Sequence, residues 1–108
     1  MASETKPFTL VPHDWHSTDY VTEWITRDVT RDPERRPLLQ RMLSAAPFAR
    51  DASLEVLDVG AGYGAVSEEV LKAYSAARIT LQDYSQPMLA RARQPPCGSL
   101  RPAALCPL

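Results

Sequence analysis

Long apolar runs are missing from this 108-residue chain. No stretch approaches the roughly 18 residues that a membrane-spanning helix needs, so no membrane partner is expected. A surplus of charge is missing too: 12 Lys and Arg stand against 13 Asp and Glu, a formal net charge of −1. Binding to nucleic acid by displacing counterions needs a basic excess, and no nucleic-acid partner is indicated. Cysteine is scarce, and both thiols, Cys97 and Cys106, fall in the last twelve residues. A disulfide framework would spread them through the fold, and a zinc site would surround them with further ligands. They read as incidental thiols in a reducing compartment. The segment Met1–Pro12 lacks the apolar stretch of a secretory leader, which points to a cytoplasmic location.

What is there is an ordinary globular composition, 44% hydrophobic and 23% charged. The length suits a single domain, which at this size buries only about two-thirds of its unfolded surface. Residues 1–16, with Pro7 and Pro12, read as an irregular arm. Ser17, Thr18 and Asp19 offer N-cap oxygens. The stripe Tyr20, Val21, Trp24, Ile25 and Val29 then predicts a helix over about 19–30. Asp32-Pro33-Glu34 is a second start signal, followed by Leu38, Leu39, Met42, Leu43 and Ala46 at helical spacing. Pro37 allows the alternative that this helix begins there. From Leu54 to Val59 the chain becomes apolar and β-branched and reads as a buried parallel strand. Gly60-Ala61-Gly62-Tyr63-Gly64 is a turn, and a helix over about 64–76 follows. Arg78–Asp83 is a second strand, and Ser85 caps a last helix through Ala92. The order describes a βαβα unit. Residues 94–108, with Pro95, Pro96, Pro102 and Pro107, read as an irregular tail.

The chemical signal is the glycine turn. Closely spaced glycines after a buried strand permit a tight turn and let the backbone approach a ligand. The helix that follows presents free N–H groups and positive potential. Asp83, closing the next strand, is placed to accept both ribose hydroxyls of a nucleotide-like ligand. Gly60, Gly62 and Ala65 also satisfy G-x-G-x-x-A, so a dinucleotide is formally allowed. Asp58 discriminates. Its carboxylate would repel a pyrophosphate and attract an amino acid's ammonium group. S-adenosylmethionine has an ammonium, a sulfonium and a ribose, and no phosphate.

Val56 to Ala92 resembles the class I S-adenosylmethionine-dependent methyltransferases. Leu57-Asp58-Val59-Gly60-Ala61-Gly62-Tyr63-Gly64 is similar to their first motif. The run Leu81-Gln82-Asp83-Tyr84-Ser85-Gln86-Pro87-Met88-Leu89-Ala90-Arg91-Ala92-Arg93 is similar to their second. The resemblance implies an α/β fold: a helical N-terminal cap over 1–50, then over 51–93 the first βαβα unit of a Rossmann-like sheet. It implies S-adenosylmethionine as cofactor, held by Asp58, Gly60, Ala61, Gly62, Tyr63, Gly64, Asp83 and Tyr84. In that scheme Asp58 and the backbone around Gly60 and Gly62 take the methionine end, Asp83 the ribose, and Tyr84 one face of the adenine. The partner implied is a small-molecule methyl acceptor, and none of these residues is expected to be a catalytic base.

Members of that family continue with further strands, whereas here Arg93 is followed by the Pro-rich tail. The expectation is a truncated or frame-shifted product, weakly active or inactive, that self-associates through open sheet edges. Two other readings remain open: a non-catalytic interaction module that keeps part of the cofactor pocket, and an NAD-binding oxidoreductase domain. Trp15, Tyr20 and Trp24 either close over the cofactor or substrate as a lid, or pack the cap on the sheet. His13 and His16 form H-x-x-H without an apparent third ligand, and no metal is expected. Arg27, Arg31, Arg35, Arg36 and Arg41, interleaved with Asp28, Asp32 and Glu34, read as a solvated helical face with local ion pairs.

Overall fold

A computed structural model describes residues 13–92 and 105–107. The irregular reading of residues 1–12, and of 94–104 and 108 with Cys97, lies outside the described residues. Helix α1 spans Thr18–Asp28. The Ser17 side chain caps it by accepting from the Tyr20 N–H at 3.2 Å, as an N-cap serine does. A 3-10 turn, Val29–Arg31, leads directly into α2, Asp32–Ser44. Pro33 sits in the first turn of α2, where its missing N–H is not needed. Pro37 lies inside the helix rather than starting it, so α2 does without one backbone hydrogen bond. Strand β1 is Glu55–Val59, α3 is Ala65–Ala73, β2 is Arg78–Asp83 and α4 is Gln86–Ala92.

The sheet has the order β1-β2-β3, all parallel. Its third strand, Leu105–Pro107, lies in the tail, where the sequence pattern shows no strand. Three residues are too few to display a period of two. Pro107 also lacks a donor, which suits it to the edge position it occupies beside Asp83.

Central β2 puts Ile79 and Leu81 into the core, where they are buried with Val70 of α3, Tyr74 just past its end, and Leu89 and Ala92 of α4. In register, Val56 and Asp58 of β1 share that face with Ile79 and Leu81. The expectation of a buried β1 is corrected here, because α3 and α4 cover only this one face. On the other face Leu57 is 62% and Val59 70% exposed. What determines their exposure is which side of the pleat they stand on, and their apolar character does not reveal it.

The second helix also departs from the apolar stripe read in its sequence. No residue of α2 is buried, and Leu38 and Met42 face solvent. Only its last turn and the residues just after it, through Leu43 and Ala46, reach the core. Charge holds the rest. Arg36 Nη1 donates to Glu68 Oε1 at 2.7 Å and to Glu69 Oε2 at 2.8 Å, and Gln40 Nε2 donates to Glu69 Oε1 at 3.2 Å. Arg36 and Arg35 are therefore not parts of a solvated face. Glu69 is 2% exposed. Burial pushes its carboxyl up, but hydrogen bonds from Arg36, Gln40 and Lys72 outweigh that and leave it below its ordinary value.

Glu69→Ala should therefore destabilise the fold by about 3 kcal/mol, the lower end for breaking a buried pair, since Glu68 and Asp32 still hold Arg36. A carboxyl lowered by folding stabilises fully above its ordinary value, 4.5, and loses that contribution as the pH falls through the folded value. Urea unfolding of parent and variant should accordingly differ at neutral pH and converge in acid.

Candidate functional site

The site forms where β1 and β2 end. Gly60, Gly62 and Gly64 have φ of 68°, 61° and 92°, a region that side-chain-bearing residues avoid. No other described residue has positive φ. This alternation folds the chain back on itself before α3, and the turn is then tied to β2. The Gly60 N–H donates to Gln82 Oε1 at 3.2 Å, the Ala61 N–H to the Gln82 carbonyl at 2.9 Å, and the Gly62 N–H to Asp83 Oδ2 at 2.8 Å. The second oxygen of Asp83 accepts from the Ser85 N–H at 2.8 Å. Asp83 is thus a clamp across the two strand ends. Each of its oxygens keeps a lone pair for a ligand.

Above the turn lies a cavity of about 610 Å³, inside the range of roughly 300–1,000 Å³ for small-molecule sites. Gly60, Ala61, Gly62, Tyr63, Asp83 and Tyr84 line it, together with Trp15 and Trp24. The chain has two tryptophans, and both stand in this wall. Tyr20 does not. Its ring packs edge-on against Trp15, and its hydroxyl is hydrogen-bonded to His13 Nδ1 at 2.7 Å. His16 packs against Tyr84 with ring centroids 4.4 Å apart. The two histidines of H-x-x-H thus face different partners, and among the described residues no group of three or more potential metal ligands converges.

Asp58 and Gly64 are set back from the lining. Asp58 accepts a hydrogen bond from the buried Ser67 hydroxyl at 2.6 Å. The turn's own closing bond, from the Gly64 N–H to the Ala61 carbonyl, occupies Gly64.

Sequence reasoning missed Arg35 and Met88 in the wall, and Ser67 and Ser85 behind it. Ser85 Oγ donates to the Trp15 carbonyl and accepts from the Met88 N–H, pinning the start of the cap to α4. Arg35 Nη1 donates to Asp28 Oδ2 at 2.9 Å and Nη2 to the Tyr63 hydroxyl at 3.1 Å. Tyr63 in turn donates to Asp28 Oδ2 at 2.8 Å. The helical spacing of Asp28, Asp32 and Arg35 hints at this cluster, but Tyr63 is too distant in sequence for any local pattern to bring it in.

With this geometry in place, the comparison with known families has a structural counterpart. Residues 56–99 match the family model described as a methyltransferase domain. The matched stretch includes β1 from its second residue, the glycine turn, α3, β2 and α4, and it bears out the resemblance to class I S-adenosylmethionine-dependent methyltransferases on a partial Rossmann-like fold. No curated protein matches the chain. Among the described residues no helix is long and apolar enough to cross a membrane.

Burial pushes the Tyr63 hydroxyl up, its hydrogen bond to Asp28 adds to this, and Arg35 only partly opposes it, leaving the group at about 12. A group raised by folding stabilises fully below its ordinary value, here 10.0, and loses that contribution as the pH rises through the folded value. The stability difference between parent and Tyr63→Phe should therefore shrink as the pH is raised from 10 towards 12, which urea titrations at stepped pH would measure.

Proposed function

We propose that this site binds S-adenosylmethionine and serves methyl transfer to a small-molecule acceptor. The family supports a methyltransferase and generally uses that cofactor. The observation that carries the reading is how the turn spends its donors. A phosphate-binding turn keeps its N–H groups for the ligand. Here the N–H groups of Gly60 and Gly62 are already taken by Gln82 and Asp83. A turn so engaged has neither of these N–H groups left for a phosphate. Asp83 adds a carboxylate in the wall that fits the ribose hydroxyls of a nucleoside ligand.

The residues fit the cofactor in these roles. Asp83 has lone pairs left for the two ribose hydroxyls. Tyr84, 57% exposed and backed by His16, offers its ring to the adenine. Asp58, oriented by Ser67, attracts the methionine ammonium from behind the turn. Trp15 and Trp24 exclude water from the remaining side. When bound, the cofactor supplies an electrophilic methyl group on a sulfonium. Positioning and desolvation are then the protein's share of an in-line displacement. The methyltransferase match lends nothing to the oxidoreductase alternative. Self-association through the outer edge of β1 belongs to the same proposal.

Calorimetry on the chain should show S-adenosylmethionine, or its demethylated product S-adenosylhomocysteine, binding more tightly than NAD. Asp83→Ala should weaken that binding by about 1.5–3 kcal/mol, the range for hydrogen bonds to a charged group. Tighter binding of NAD would transfer the site to the oxidoreductase class.

A further inference from the structure

Tyr63 occupies an unusual position. Its backbone lies in the glycine turn between two residues of positive φ, so the ligand-facing backbone sets its location. Its side chain leaves the turn and ends on α1, at Asp28, while Arg35 of α2 bonds to both. The three groups close a triangle with edges of 2.8, 2.9 and 3.1 Å. Asp32 holds Arg35 from behind. Asp28 stands one helical turn beyond Trp24, on the same side of α1. Whatever fixes Asp28 therefore fixes the rotation of Trp24 over the cavity. The other contacts of α1 itself with the turn and α4 are apolar, Val21 and Ile25 packing with the Tyr63 ring and Met88, while the Ser85 bond holds Trp15 in the arm before α1. Apolar contacts of this kind resist separation but are non-directional. The hydroxyl bond supplies the direction.

Resting on the cofactor reading above, we infer that the Tyr63 hydroxyl is a positioning group: through Asp28 and Arg35 it registers the Trp24-bearing helix on the glycine turn, so cofactor affinity depends on a hydroxyl that does not touch the cofactor. Without the hydroxyl, α1 samples other registers, and the ligand binds only the fraction in which Trp24 covers the turn. Apparent affinity then falls in proportion to that fraction.

Both tryptophans line the cavity, so tryptophan emission reports on it whether or not a ligand is present. The test compares the parent chain, Tyr63→Phe, Asp28→Asn and the double variant. Tyr74→Phe is the control; it removes a hydroxyl bond to the Leu43 carbonyl at the other end of α3. Acrylamide quenching of the ligand-free proteins should rise in Tyr63→Phe and Asp28→Asn and stay at the parent value in Tyr74→Phe. Calorimetry with S-adenosylhomocysteine should show about tenfold weaker binding in each single variant of the triangle, the order expected for one hydrogen bond to a charged group. The double variant should lose no more than the weaker single, because the two changes break one device.

A merely structural hydroxyl would lower the melting temperature in Tyr63→Phe and Tyr74→Phe alike and leave quenching and affinity of the folded proteins unchanged. That result overturns the inference, as does additivity in the double variant. If the parent itself fails to bind S-adenosylhomocysteine, the cofactor reading fails, and the ligand-free quenching still decides whether the triangle holds Trp24.

Discussion

Asp83 joins two strand ends that would otherwise be independent. One carboxylate oxygen takes the Gly62 N–H from the turn after β1 and the other takes the Ser85 N–H just before α4. Three positive-φ glycines make the turn possible, but glycine confers freedom as readily as shape. The clamp selects one conformation from that freedom. Much of the site follows from it. Held in place, the turn aims Tyr63 at α1, gives α3 its starting direction and forms the floor of the cavity. Ser85, fixed by the same carboxylate, reaches back to Trp15. A single acid therefore orients the turn, the cap and the last helix while keeping lone pairs for a ligand.

The N-terminal helices attach to this platform by two different kinds of force. Helix α1 docks through apolar contacts around Val21 and Ile25, given direction by Tyr63 and Asp28. Helix α2 docks mainly through Arg35 and Arg36, whose partners are carboxylates on α1, on α2 itself and on α3. The arrangement has a cost. The buried Nε atoms of both arginines lack a partner among the described residues, and an unsatisfied buried donor is destabilising. Multiple bonds from the remaining nitrogens offset it.

Residues that interact with near neighbours were legible in the sequence. The glycine turn, the acid closing β2, the Ser17 cap and the order of elements from α1 to α4 all rest on local chemistry, and the structure places them where spacing suggested. Residues whose role depends on distant partners were not legible. Arg35 and Arg36 look like members of a solvated charged face, because the partners that bury them, Tyr63, Glu68 and Glu69, lie about thirty positions away. Leu57 and Val59 look like core because they are apolar, yet the two helices that cover the sheet share its other face. Tyr20 looks like part of an aromatic lid with Trp15 and Trp24, and only its rotation toward His13 removes it.

A helix held by guanidinium–carboxylate bonds responds to temperature differently from one held by apolar burial. Exposure of apolar surface on unfolding raises the heat capacity, and exposure of polar surface lowers it. No residue of α2 is buried, so its docking contributes less to the curvature of the stability profile than the buried core of β2, α3 and α4. The hydration that competes with Arg36 and Glu69 also becomes less favourable on heating. Warming therefore shifts the balance between the two attachments: the ion-paired junction of α2 with α3 gains strength while the apolar packing beneath it levels off, and the charged seam becomes a larger share of what keeps the cap in place.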